Sequence, residues 1–324
     1  MIKANFLPKK YSLFYKIINL TKGKKYNAID IVESSKNVSL KVFKIEIENK
    51  SIDPIIQRLF KDLRPFEEYV SVYLHGSWAD ETQTIFSDID DFIILDIEGL
   101  KEKKYLSKVC KIMNSIDMKF SRIDPIQHHG HWICSTNELE NYDNSFIPLY
   151  ILKEAKIVMG RNTIVGQINQ ERTEVGLRKN IINTCKGIEI LSRKLFNNSI
   201  NAYELKGLVG SFALMPAFIM QLNGDECSKP EAIKTAYKIF SESSLLCIQW
   251  STKNRNNWHE LTNKFKFKLF SRLAYLFFDP FLWRKFSNKF SPRVHESTVR
   301  QLSDIILTKQ MVDKFISESL DYAK

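Results

Sequence analysis

The sequence predicts an α+β protein: a small mixed β-sheet core flanked by helices, followed by an all-α C-terminal domain. Three observations predict it. Val70, Val72 and Leu74 recur at every second position, as on a strand with one face buried. Phe92-Ile93-Ile94-Leu95 is a short apolar run of the kind that fills a buried strand. From about residue 166 the apolar period lengthens from two to that of long amphipathic helices. A chain of 324 residues can support two domains with separate cores. The expected division is an N-terminal extension over 1–50, a sheet-bearing domain over 51–165 and a helical domain over 166–324.

Element by element, residues 1–50 predict a helix around Tyr11–Leu20, a lysine-rich turn at Thr21–Lys25 and a β-like stretch over Ser39–Ile47. Ser51-Ile52-Asp53-Pro54 reads as a helix start, with Asp53 as cap and Pro54 at the first helical position. That helix is expected to run to about Leu63 and to lead into the first strand. After the second strand, Tyr105, Leu106, Val109, Ile112 and Met113 give Gly99–Ser115 a helical period. A strand is expected over Met118–Ile123, ended by Asp124-Pro125, and another at Trp132-Ile133-Cys134. Phe146–Tyr150 and Ala155–Met159 bring this part to Gly160. Helices follow over Val175–Phe196, Tyr203–Leu222 and Ala232–Phe240, with several more filling Asn257–Ala323.

Composition narrows the class. Hydrophobic residues at 44% and charged residues at 26% match a globular chain. The five cysteines, Cys110, Cys134, Cys185, Cys227 and Cys247, are scattered and odd in number, which fits buried thiols of a reducing compartment. Pro8-Lys9-Lys10 interrupts the first apolar stretch, so no signal peptide is expected and a cytoplasmic location follows. The run from Gly207 to Asn223 contains Pro216 and is short of a span, so it is expected to be a core helix, with no membrane span in the chain. The aromatic run Tyr275–Trp283, beside Arg284 and Lys285, is expected to be a packing corner rather than a membrane face. The net charge of +11 divides unevenly: +7 over 1–50, −5 over 51–165 and +9 over 166–324. Basic flanks around an acidic centre suit a polyanionic ligand, although solvated lysine faces give the same count.

The acidic centre holds the most informative segment. Leu74-His75-Gly76-Ser77-Trp78-Ala79 reads as strand then turn, and Ser87-Asp88-Ile89-Asp90-Asp91 opens the next strand. Asp88 and Asp90 share one face while Ile89 points into the core. Two carboxylates so placed repel unless a cation lies between them, and a hard divalent ion with oxygen ligands, Mg²⁺ above all, is the natural occupant. Gly76 lets backbone approach a ligand closely, and Ser77 is expected to cap a helix whose N–H groups face an anion.

Gly76, Ser77, Ala79, Ser87, Asp88, Ile89 and Asp90, at this spacing, resemble the signature of the polymerase-beta-type nucleotidyltransferases, in particular their minimal branch. Asp80-Glu81 departs from it, because many relatives carry a small or basic residue and a glycine there, and the loop is expected to be stiffer and more acidic. The resemblance implies that 51–165 is a nucleotidyltransferase catalytic domain. It would bind a nucleoside triphosphate on Gly76 and Ser77, with Mg²⁺ (Mn²⁺ as the alternative ion) on Asp88 and Asp90. It also implies a third carboxylate on the strand after the helix, a base or further metal ligand that readies the acceptor hydroxyl, for which Asp124 is the candidate and Asp117 the alternative. Lysines of the helical domain often meet the triphosphate in such proteins, which marks Lys206 and Lys229. The Lys153–Gly160 segment is similar to the helix, short strand and glycine that close such cores.

Three of the six histidines fall in His128-His129-Gly130-His131. The spacing fits no usual structural zinc site, and a turn in which His128 and His129 contact substrate is expected instead. The acceptor of the transfer is open at this stage: a small hydroxylated molecule is favoured, with RNA and protein as alternatives. A nucleotide-binding module without catalysis is the reading from a different class.

Overall fold

The structure, a computed structural model, describes residues 40–324. The helix expected around Tyr11–Leu20 and the turn at Thr21–Lys25 lie outside the described residues. The fold is α+β, with a small mixed sheet, flanking helices and a helical C-terminal region. The β-like stretch at Ser39–Ile47 forms strand β1 (Leu40–Glu46). It pairs antiparallel along its whole length with the last strand, β6 (Thr163–Asn169).

Helix α1 (Pro54–Phe60) starts where Asp53 accepts a hydrogen bond from the Ile55 N–H at 2.7 Å, with Pro54 in the first turn. Its α-helical part stops at Phe60, and a 3-10 segment, Lys61–Phe66, carries the chain through Pro65 to the sheet. The four-stranded sheet consists of β2 (Val70–His75), β3 (Asp90–Leu95), β4 (Trp132–Ser135) and β5 (Lys156–Met159), in the order β4-β3-β2-β5. β3 and β4 run parallel; the other neighbours run antiparallel.

Alternation along the two central strands separates two cores. Val70, Val72, Leu74, Ile93 and Leu95 face α1 and the long helix α3 (Leu106–Ile123). Tyr73, Phe92 and Ile94 face Cys134, Leu152 and the β1–β6 ladder. The helix expected over Gly99–Ser115 is two: α2 (Ile97–Glu102), capped by Asp96, and α3.

The strand expected over Met118–Ile123 is absent; those residues are the last turns of α3. Six residues of alternating Met118, Phe120 and Arg122 suit a strand taken alone. Val109, Met113, Ile116 and Phe120 continue one buried helical face through the same residues, and that burial decides the conformation. The parallel strand after the helix is β4, so the βαβ unit is β3-α3-β4. Helix α4 (Leu149–Lys153), β5 and Gly160, at φ +89°, close the sheet. A side chain at 160 would meet the Ser71 backbone, which requires glycine there.

The period changes at Gln170, a few residues beyond the expected 166, because β6 extends to Asn169. Helices α5 (Gln170–Phe196), α6 (Ala202–Leu222), α7 (Lys229–Thr235) and α8 (Glu242–Asn256) follow. Then come α9 (His259–Thr262), α10 (Phe265–Leu273), α11 (Pro280–Phe290), α12 (Glu296–Leu302) and α13 (Lys309–Tyr322). Their core is built on α6, with Leu205, Leu208, Val209, Phe212 and Ile219 buried, and Pro216 accommodated inside the helix. By length and composition alone α6 could cross a membrane; half of its most apolar window is buried in the protein.

Phe86, Met118 and Ile126 from the sheet side join this helical core. Trp283 on α11 is buried and donates from Nε1 to the Pro125 carbonyl at 2.9 Å, beside a 2.9 Å bond from Ser287 Oγ to the same oxygen. Arg284 holds Asp117 through two bonds of 2.7 and 3.0 Å. Asp117, the alternative third carboxylate, is thereby committed to a structural pair. Replacing Trp283 by alanine removes a buried ring and the donor to Pro125 together, and is expected to cost about 3–5 kcal/mol of unfolding free energy in urea titrations.

Candidate functional site

The site forms where the turn after β2, the start of β3, the end of α3 and the first turns of α6 meet. Gly76 has φ +65°, and a Cβ built on it would lie 3.1 Å from Asp90 Oδ2. Glycine is therefore needed both for the backbone conformation and for the approach of the carboxylate. The turn Gly76–Trp78 is a single 3-10 turn whose flanking residue His75 makes no capping bond. Ser77 thus caps no helix, contrary to the sequence expectation; three residues are too few to form one.

In the loop that follows, both acids are engaged by neighbours. Asp80 Oδ1 accepts from both the Thr82 N–H (3.0 Å) and its hydroxyl (2.5 Å). Glu81, at φ +61°, pairs at 2.6 Å with the buried Lys156 of β5.

Ile89 is buried on the α3 side of the sheet, as its parity requires, and Asp88 and Asp90 turn the other way. Asp88 Oδ2 and Asp90 Oδ1 converge on one atom, Nε2 of His129, at 3.5 and 3.0 Å. On its other side Asp88 Oδ1 accepts from Lys206 Nζ at 2.5 Å, and Lys206 also donates to Asp124 Oδ2. Lys206 is only 3% exposed and lies over the Phe86 ring at 5.3 Å. A capping box of Asn201 and Glu204 fixes the start of α6 one turn earlier.

Asp124 reaches the cluster as the extended residue that ends α3, rather than from a strand. Its Oδ1 accepts from the Ile126 N–H at 3.2 Å, which sets the turn into Pro125. Lys229 stands half-buried at the start of α7 and, among the described residues, forms no ion pair with Asp88 or Asp90.

Protonation follows from burial and neighbours. Burial pushes Asp88 up, but Lys206, with His129 and His128, outweighs it and holds the carboxyl below the usual range. Asp124 goes the other way: burial and the adjacent Asp88 raise it to about 7 despite Lys206. Burial also opposes charge on Lys206, and the two aspartates overcome it and keep the ammonium. His129 is raised to about 9, because Asp90 and Asp88 outweigh burial. His128 is lowered to about 4 by burial, beyond what Asp88 restores, and Lys229 to about 8 by burial and Arg255.

The three histidines have separate tasks. His128 Nε2 donates to the Tyr203 carbonyl at 2.9 Å and its ring lies 4.1 Å from the Tyr203 ring, tying the loop to α6. His128, one of the two histidines expected to contact substrate, spends this nitrogen on the protein. His129 faces the carboxylates. His131 is buried between Asp91 Oδ2 (2.5 Å) and the Met113 carbonyl (2.8 Å) and is structural.

Sequence reading missed three residues here: Asp91, Gln127 and Lys156. Gln127 accepts from the Ile89 N–H and donates to the Ile89 and His129 carbonyls, at 3.1–3.2 Å, locking the backbone between the two aspartates to the histidine turn. The parity of Asp91, on the core side with Ile93, was a usable signal that it needs a buried partner.

The donor set fits a hard divalent ion in a restricted sense. Among the described residues no group of three or more His, Cys, Asp or Glu is arranged to hold a metal. Asp88 and Asp90 nevertheless bracket a single point with one oxygen each, the two-carboxylate arrangement that Mg²⁺ completes with water and phosphate oxygens. Asp124 is separated from that point by Lys206, so it is a neighbour of the candidate ion position rather than a preformed ligand.

No protein-family model matches the chain, and no curated protein or solved structure matches it.

In the metal-free protein His129 is expected to stay protonated through neutral pH. Its contact with the aspartates contributes stability in full below about pH 6.5 and loses it as the pH rises through about 9. ¹⁵N-histidine NMR titration reads this directly. A His129 that is neutral at pH 7 contradicts the geometry.

Proposed function

We propose that the protein is a Mg²⁺-dependent nucleotidyltransferase that moves a nucleoside monophosphate from a nucleoside triphosphate to a hydroxyl acceptor and releases pyrophosphate. The observation that carries the reading is the convergence of Asp88 and Asp90 on one point, beside the left-handed Gly76 turn and with Lys206 in contact with Asp88. The Gly-Ser and Asp-x-Asp spacing that resembles polymerase-beta-type enzymes supports the same chemistry.

On this reading Asp88 and Asp90 hold the ion, which when bound supplies Lewis-acid charge to the phosphates. The Gly76-Ser77 backbone lies against the triphosphate. Lys229, with its pKa brought down to about 8, is still largely cationic at neutral pH and is the candidate to meet the triphosphate. Lys206 positions Asp88 and Asp124 rather than meeting the triphosphate, the role first expected of it. Asp124, raised to about 7, can accept the proton of the attacking hydroxyl once ionised. A small hydroxylated acceptor is the favoured class, met between the sheet and the helices that supply Lys206. A second reading, a nucleotide-binding module without turnover, has one observation in its favour: an ammonium and an imidazolium already neutralise the carboxylates.

The test incubates the protein with each labelled nucleoside triphosphate, Mg²⁺ and cell extract, and follows the label into small-molecule, RNA and protein fractions. Transfer with pyrophosphate release is expected. Asp88→Asn and Asp90→Asn should each lower it by roughly a hundredfold or more while circular dichroism stays unchanged. Binding of Mg²⁺ and nucleotide with no pyrophosphate released in any fraction selects the binding module.

With Asp124 as base, kcat/KM is expected to rise with pH through about 7, and Asp124→Asn should remove that limb. A limb that persists in the variant assigns it to another group.

A further inference from the structure

The aromatic corner expected from sequence packs with only part of its side chains. Phe277, Trp283 and Phe286 pack against one another, and Trp283 and Phe286 also against Phe270 of α10. Their neighbours turn outward: Phe278 is 86% exposed, Phe265 79% and Leu276 71%. These residues are not scattered. Steps of three and four residues from Phe265 lead to Lys268, Leu269, Arg272 and, through the 3-10 turn Ala274–Leu276, to Leu276, so they form one stripe. The opposite face, Phe267 and Phe270, is buried. Phe278 projects beside the stripe, on the link to α11.

The charge of this surface has one sign. Lys264 to Phe290 contains seven Lys or Arg and one acid, Asp279, whose carboxylate is used to cap α11 through the Leu282 N–H at 2.9 Å. Arg284 is paired with Asp117; the other six cations pair with no carboxylate among the described residues. Exposed large apolar side chains interleaved with unpaired cations match a surface that is anionic outside and hydrocarbon beneath. RNA would satisfy the cations and could stack on Phe265, Tyr275 and Phe278, but it would leave aliphatic Leu269 and Leu276 of the same stripe uncovered, which a bilayer buries.

We propose that the outward stripe of α10 and the link to α11 is a docking surface for anionic lipid bilayers, with Phe265, Leu269, Leu276 and Phe278 entering the interface and the lysines facing lipid phosphates. It lies on the protein in the manner of an interfacial helix and spans nothing. The inference stands on this surface alone and is independent of the proposed activity. The docking segment is tied to the candidate site, because Trp283 and Ser287 both hold Pro125, next to Asp124.

Co-sedimentation of the full chain is measured with phosphatidylcholine vesicles and with vesicles containing roughly a third phosphatidylserine, at about 0.15 M salt. Binding to the anionic vesicles only is expected. The variant Phe265→Ser/Leu276→Ser/Phe278→Ser keeps every charge, and its affinity should fall by about tenfold or more. Val175→Ser/Ile190→Ser, exposed on α5, should bind as wild type. Lys268→Glu/Arg272→Glu should lose binding as well, and serves where the triple variant melts early. Failure of the wild type to bind overturns the proposal. So does full binding by the serine variant, which would reduce the effect to net charge, or serine-sensitive binding of single-stranded RNA without vesicle binding.

Discussion

The ammonium of Lys206, buried between Asp88 and Asp124, is the contact on which the site depends. Three carboxylates brought together beneath a helical region would repel one another, and taking even one of them out of water is costly. A cation delivered from the first turns of α6 offsets both costs at once. It also makes the position of the helical region matter to the sheet: α6 cannot move away without leaving Asp88 and Asp124 uncompensated. His129 does the same for Asp90 from the opposite side, and Gln127 fixes the distance between the two devices.

This electrostatic frame explains why the surrounding packing is so specific. Trp283, Ser287 and Arg284 of α11 are all spent on the end of α3, at Pro125 and Asp117. They hold the corner from which Asp124 projects. On the other flank, Glu81 and the buried Lys156 hold the loop after Gly76 against β5. Between them Asp88 and Asp90 direct one carboxylate oxygen each at the His129 imidazolium.

Much of the sheet was legible in the sequence because period-2 burial on β2 and β3 is a strong local signal, and because Asp53-Pro54 announces a helix start without tertiary help. The Met118–Ile123 error shows where local reading stops. Alternation over six residues cannot be told from one face of a helix, and the buried face of α3 settles it. Ser77 failed as a cap for a simpler reason: the turn is too short to have helical N–H groups to satisfy. At the site, Asp88, Asp90, Asp124, Lys206 and the histidine turn do come together, while Lys229 makes no ion pair with them among the described residues. What the sequence could not convey is division of labour among them. His128 looks toward a carbonyl and its neighbour His129 toward two carboxylates, a division between adjacent side chains that no periodicity encodes. The partners of Asp91 and Glu81 are separated from them by dozens of residues and only the fold brings them close.

The direct measurement of the account is a double-mutant cycle on unfolding free energy, with Lys206→Met, Asp124→Asn and the two combined. If the buried ammonium holds the carboxylates together, Lys206→Met alone should cost about 3–5 kcal/mol, and adding Asp124→Asn should cost far less than its effect in the wild-type background, or recover part of the loss. Additive changes, each under about 1 kcal/mol, would contradict it and would mean that the carboxylates are held in place by packing alone.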